Sequence, residues 1–376
     1  MENPEVVAHR AEMVLPYGVG RVEVVAPPGV RPHPLTTPGN RLTRAGWVLV
    51  LKRLVADFSV DAMVDRAASL TYYTLLSLAP AMVATYSFLL LLLPADDREI
   101  PLLFAELVER YIPSQFQMQA LAVADTIVGT PSENKVALIV SGLLSLLSAS
   151  AYMRSFSRNA NVIYGRVEGR NFLLTWLTMG LATVVLEAGA LVIIVASLMR
   201  ESLIVKVLGP VAEPLGVVEE LEYMTSIFLP VWSWLQMPFI AVVSLGLVSM
   251  LFYVAPNVRR GRFRVFTVGA LLSFLLSAVI WLGFGLYTSL VGVRSAYGAF
   301  GTVLTVLLLV WLMNVVLLVG VKVDAEVLRA KELQLGYGSD VLIQAPPKSM
   351  EAVKFRIQVQ RWLDKTAARV KGQPGG

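Results

Sequence analysis

Apolar residues fall along this chain in six long blocks, at roughly 67–93, 136–153, 172–199, 226–255, 265–291 and 299–321. A helix needs about 20 mostly apolar residues to cross a bilayer. The pattern therefore predicts an all-α polytopic membrane protein with six transmembrane helices. Ahead of the first block, "RLTRAGWVLVLKRLVADFSVDAMVDR" mixes apolar and charged positions at helical spacing. It is too charged to span and predicts an amphipathic helix on the membrane surface. Residues 100–130 hold two weaker helical patterns broken by Pro113.

The polar stretches divide the chain into three parts. Residues 1–41 carry Pro4, Pro16, Pro27, Pro28, Pro32, Pro34 and Pro38 and predict a disordered, Pro-rich tail. No apolar block lies there, so no cleaved signal peptide is expected. Residues 42–328 form the six-helix membrane domain, and 329–376 form a basic tail. In that tail Phe355, Val359, Trp362 and Leu363 recur at helical spacing. It reads as a helix on the inner leaflet or as a disordered tail; alternation at Val353, Phe355, Ile357 and Val359 keeps a strand open.

Charge fixes an orientation. Lys and Arg exceed Asp and Glu by 4 to 1 in 154–170, 4 to 0 in 256–264 and 10 to 6 in 322–376. The intervening segments 94–135 and 200–225 reverse the balance, at 3 to 7 and 2 to 5. Basic residues gather on the cytoplasmic side, so both termini are expected there. Composition agrees: of 376 residues 56% are hydrophobic and only 16% charged, with mean hydropathy +0.66, where soluble domains carry about 25% charge. The net charge of +5 follows from the basic loops. It points to anionic headgroups of the inner leaflet as partners rather than nucleic acid.

Three groups of residues stand out. In "TYYTLLSLAP" (71–80), Thr71, Tyr72, Tyr73, Thr74, Ser77 and Pro80 put polar and helix-weakening groups inside a span. Either they pack helices tightly, as small and hydroxyl residues do in lipid, or they line a hydrated substrate path. Pro80 frees a carbonyl that needs a partner. Pro230 and Pro238 do the same to the fourth span, as in the broken helices of inverted-repeat transporters. Small residues recur at Ser141, Ser145 and Ala149, and at Gly269, Ser273 and Ser277. Glu187 is the one acid deep in a span. Such acids are functional by default, but a protonated Glu hydrogen-bonded to a neighbour is the plain alternative, with Asn314 as a partner. The arginines Arg154, Arg158, Arg166 and Arg170, with Arg259, Arg260, Arg262 and Arg264, read as topology anchors or as headgroup contacts.

Enzyme chemistry finds no support. The only histidines, His9 and His33, lie in the Pro-rich tail, and there are no cysteines. No two carboxylates share a span, no Gly-rich phosphate loop follows a strand, and there is no G-x-S-x-G. No catalytic residues, metal site or cofactor are expected.

Four stretches carry a resemblance. They are "RAASLTYYTLLSLAP", "SFSRNANVIYGR" (155–166), "YVAPNVRRGRFRVFTVGALL" (253–272) and "YGAFGTVLTVLLLVWLMNVVLLVGVKVDAEV" (297–327). In this order the chain resembles the YihY/virulence factor BrkB family of bacterial inner-membrane proteins. The resemblance implies a six-helix plasma-membrane protein. It also brings the family's ribonuclease label, widely regarded as a misassignment, and associations with envelope integrity, serum resistance and lipid handling. The family's last span exits as "GAE.NAE", whereas here Lys322 stands at the first acid. The sequence leads to handling or transport of a lipid or other amphiphile, with a non-transporting envelope scaffold as the alternative.

Overall fold

The structure, a computed structural model, describes residues 41–92, 135–199, 218–260, 263–291 and 299–371. It also describes the strands β1 (Ala8–Ala11) and β2 (Val22–Val25), and isolated residues within 105–122 and 204–216. The strands pair antiparallel, Ala8 opposite Val25, a ribbon not foreseen in the Pro-rich segment. The helical patterns expected in 100–130 lie largely outside the described residues.

Among the described residues seven long helices build the body and an eighth leaves it. They are α1 (Arg44–Val60), α2 (Met63–Leu92), α3 (Lys135–Ile163), α4 (Phe172–Leu198), α5 (Leu229–Val254), α6 (Val268–Val291), α7 (Ala299–Gln334) and α8 (Glu351–Lys371). Four helical stretches among the described residues are long and apolar enough to cross a membrane: Phe172–Leu198, Leu221–Val254, Val268–Tyr287 and Val303–Gln334. The helices α2 and α3, at 30 and 29 residues, have the length.

Local chemistry sets the helix ends. The Thr43 hydroxyl accepts the Gly46 N–H and caps α1; the Asn171 side chain accepts the Leu174 N–H and caps α4. The chain turns from α1 into α2 at Ala62, whose φ of 48° is left-handed. The prolines do not break their helices, contrary to expectation. The helix α2 runs on through position 80. Pro230 follows a π-helical turn within the continuous helical stretch Leu221–Val254. Pro238 lies inside α5. That π-helical turn, Met224–Phe228, leads into it.

The packing obeys membrane rules. Lipid gives no hydrophobic drive to helix association, so close backbone approach takes over. At the α6–α7 crossing a methyl group on Gly269 would overlap the Gly320 carbonyl oxygen, and one on Gly320 would overlap Ser273 Oγ. The Ser273 hydroxyl donates to the Val316 carbonyl at 3.0 Å. The small-residue stripe read from the sequence is therefore this interface.

Among the described residues Ala196, Leu229 and Gln236 are buried where α4 ends and α5 begins. The large described cluster lies at the opposite end, where Met63, Leu70, Phe156, Tyr164, Phe252, Leu318 and Leu328 are fully enclosed. Along the spans the helices present Leu177, Val185, Leu235, Val242, Leu275 and Leu282 outward, as lipid-facing surfaces do. A helix rises about 1.5 Å per residue. The 13 residues of α7 beyond 321 thus reach roughly 20 Å past the expected span end. The sequence boundary at 328 cuts this helix. Residues 329–350 are not tail: Ala330, Glu332, Tyr337, Ser339, Ile343, Gln344 and Ala345 are buried.

Candidate functional site

The opening residues of α2 resolve into a closed polar knot. Asn314 of α7 donates to Thr71 Oγ1 at 3.4 Å and Thr74 Oγ1 at 3.3 Å, and accepts the Tyr152 hydroxyl of α3 at 3.1 Å. Both threonines donate back to carbonyls of their own helix, at Ala67 and Leu70, and Ser77 donates to the Thr74 carbonyl. These hydroxyls join α2, α3 and α7. Tyr72 points outward, 64% exposed, edge-on to Tyr73. The side chain of Pro80 is outside the described residues. Glu187 is half-buried on α4, and its Oε1 makes no hydrogen bond among the described residues. Asn314 is thus engaged elsewhere and is not its partner. Another polar contact ties α4 to α5: Gln236 donates to the Ala196 carbonyl at 2.6 Å.

The charged end of α7 holds a buried ion network that the sequence reading missed. Lys322, its side chain 3% exposed, lies 2.8 Å from both Asp57 of α1 and Asp61 just after it, and 3.1 Å from Glu326. Glu326 is paired again with Arg329 at 2.9 Å. Arg53 approaches both Asp57 and Glu326 at 3.9 Å. Three cations and three carboxylates balance. One turn on, the Glu332 carboxylate accepts the Ser339 hydroxyl and the Gln344 and Ala345 backbone N–H groups, folding segment 336–345 back under the bundle. The i,i+4 spacing of Lys322 and Glu326 was visible in the sequence. The partners Asp57 and Asp61, some 265 residues away, were not.

The arginines separate into two kinds. Arg166 is buried and donates to the Ile343 and Ala345 carbonyls. Burial, eased by Glu332 and reinforced by Arg329, lowers its pKa to about 10. Arg170 is buried against Glu168 at 2.6 Å and donates to Ser157 and the Ala255 carbonyl. Burial alone would raise the Glu168 pKa, but Arg170's hydrogen bonds and charge hold it below the usual range. Asn161 joins this knot through Glu168 and the Asn257 N–H. Arg166 and Arg170 are therefore struts, not headgroup contacts. Arg154 stacks on Trp176 at 3.9 Å and donates to Ser150. Arg158 and Arg259 are exposed, with Arg158 at 6.0 Å from the Tyr73 ring. Arg262 lies outside the described residues.

Arg260 and Arg264 meet a cavity of about 130 Å³ between α5, α6 and α7. That is roughly ten times the volume one ordered water needs. Arg260, Arg264, Lys331 and Asp324 line it, so three cations face one acid. Ser249, Tyr253 and Thr267 add polar groups, and Phe266, Val268 and Val327 make an apolar side. Asp324 is largely satisfied: it accepts the Gly269 N–H at the start of α6 at 2.7 Å and pairs with Arg260 at 3.3 Å. Arg260 also donates to the Phe252 carbonyl and lies 4.8 Å over the Tyr164 ring, while its buried Nε has no hydrogen-bond partner among the described residues. The site offers net positive charge beside apolar surface, at the level where spans give way to charged segments. Beneath it Lys348 donates to the Tyr253 carbonyl at 2.6 Å. Burial, then Arg260 and Arg170, lower its pKa to about 7.

Comparison with known proteins adds lineage. A sequence profile described as virulence factor BrkB matches residues 54–338. The chain is similar to the ribonuclease-like protein YfkH of Bacillus subtilis (strain 168), with 25% identity over 289 residues, covering 75% of this chain and 96% of that protein. No solved structure matches.

Proposed function

Since the chain belongs to the virulence factor BrkB family and is an integral membrane protein, we propose that it binds and moves an anionic amphiphile, a phospholipid in the first instance, within the bacterial plasma membrane. In this reading α2 and α3 also cross, giving six spans with both termini cytoplasmic, which the alternating loop charges support. The observation that carries the proposal is the cavity with three cations, one already-paired acid and an apolar side. A phosphate-bearing headgroup would meet Arg264 and Lys331 while its acyl chains follow the apolar wall. Each basic residue near an anionic surface contributes about 1 kcal/mol. The chain acts on its ligand without covalent chemistry and without a cofactor. The ribonuclease word in the relative's name describes that relative.

The test is reconstitution in liposomes with fluorescent phosphatidylglycerol. Wild-type protein should speed its appearance in the opposite leaflet, and the Arg264→Gln, Lys331→Gln double variant should lose most of that gain. No movement by correctly folded wild-type protein would overturn the proposal.

A second reading, a non-transporting envelope scaffold, is favoured by the knot of Thr71, Thr74, Tyr152 and Asn314, whose groups satisfy one another. Single cysteines at Thr71, Thr74, Ser77 and Glu187, in this cysteine-free chain, separate the two. Labelling by a membrane-impermeant thiol reagent along one helical face supports a hydrated path. Protection at all four supports the scaffold.

A further inference from the structure

Among the described residues nothing covers the apolar face of the last helix, α8. Phe355, Val359, Trp362, Leu363 and Val370 follow the spacing i, i+4, i+7, i+8 and i+15, one stripe along a helix. All are exposed, Phe355, Trp362 and Val370 by 65% or more. The opposite side carries Lys354, Arg361 and Lys365. Of the 21 residues six are basic and two acidic.

The start of α8 is fixed. The Ala352 N–H and the Ser349 hydroxyl both donate to the Gly169 carbonyl at 2.9 Å, and Asn171 donates to Glu351 at 2.8 Å. Val353 is buried against the body. These contacts tie α8 to the residues that open α4. There Phe172 and Leu173, both more than 75% exposed, begin a membrane-crossing stretch. The helix therefore departs at the level of the membrane boundary, carrying an apolar stripe and a net charge of +4.

We infer that α8 lies in the interface of the anionic leaflet, its Phe355–Trp362 stripe among the acyl chains and its basic residues at the lipid phosphates. A basic helix with one apolar face binds such a surface through both terms. Pairing of the stripe with a second copy is disfavoured, because it would bring two helices of like net charge together. This inference rests on the protein being membrane-embedded, not on lipid movement through the cavity.

The experiment uses the full chain with one cysteine, Thr366→Cys on the stripe or Arg361→Cys opposite it, labelled with an environment-sensitive fluorophore. The chain is reconstituted in phosphatidylcholine vesicles with or without phosphatidylglycerol. The expected result is a blue shift at 366 and none at 361, larger with phosphatidylglycerol and reversed by Phe355→Ala plus Trp362→Ala. Equal emission at the two positions would overturn it, as would a shift indifferent to phosphatidylglycerol. A shift that collapses when labelled chains are diluted at fixed total lipid would assign the stripe to a second copy, and also overturn it. Lipid-movement assays on the same samples keep this outcome separate from that of the cavity.

Discussion

Replacing Lys322 by Met removes the cation at the centre of the α1–α7 network while keeping its length. Three carboxylates lose a partner at 2.8, 2.8 and 3.1 Å. They are not equally harmed. Glu326, 1% exposed, keeps Arg329 at 2.9 Å, and Asp57, 27% exposed, keeps Arg53 at 3.9 Å. Asp61, 19% exposed, has no other ion pair among the described residues. Breaking a buried pair from one side typically costs about 3–5 kcal/mol, against about 0–1 for a surface pair. The residual partners and partial wetting put Lys322→Met near the low end, at about 3 kcal/mol. Most of that is the penalty of an uncompensated charge. Asp61→Asn in the same chain should therefore return about half of it, although it removes another polar contact. The assay is reversible unfolding in mixed micelles, with the two single variants and the double variant closing a cycle. A loss below about 1 kcal/mol for Lys322→Met would place the network among surface pairs. A double variant less stable than Lys322→Met alone would refute the argument from uncompensated charge.

Other predictions follow from single contacts. Gly269→Ala should destabilise by about 3 kcal/mol or more, because the added methyl meets backbone at Gly320 rather than a yielding side chain; thermal unfolding would show it, and a neutral result would deny the α6–α7 crossing. Asn314→Leu should cost about 1–2 kcal/mol, since polar contacts between membrane helices average about 0.6 kcal/mol each and three are lost. Lys348 has its pKa lowered from 10.5 to about 7, so between those values the unfolded chain binds the extra proton and stability should rise with pH. Below about 7 both states are charged and this contribution is flat. Unfolding midpoints measured across that window should rise in the wild type and lose that part of the slope in Lys348→Met.

Much of this protein was legible in its linear pattern. Apolar blocks of span length marked the helices, because in lipid every backbone group must be satisfied within its own helix. Gly269 and Ser273 announced a close crossing for the same reason that lipid rewards small residues. The family showed itself in four ordered stretches, and the structure gives two of them a physical role. Ser157, Asn161 and Asn257 tie the ends of α3 and α5 together with Glu168 and Arg170. Tertiary structure alone decided which charges are buried. In sequence Arg166 and Arg264 are equivalent members of basic loops. In space one holds carbonyls in the interior and the other lines an open cavity. The end of α7 was hidden likewise: "KVDAEVLRAKE" has the charge density of a solvated tail. It is interior because Asp57 and Asp61 arrive from the end of α1 and the turn after it, and segment 336–345 closes over Glu332. Helix formation depends on neighbours a few residues apart, and a sequence records those directly. The ionic and polar balance that permits burial depends on partners hundreds of residues away, and only the folded chain brings them together.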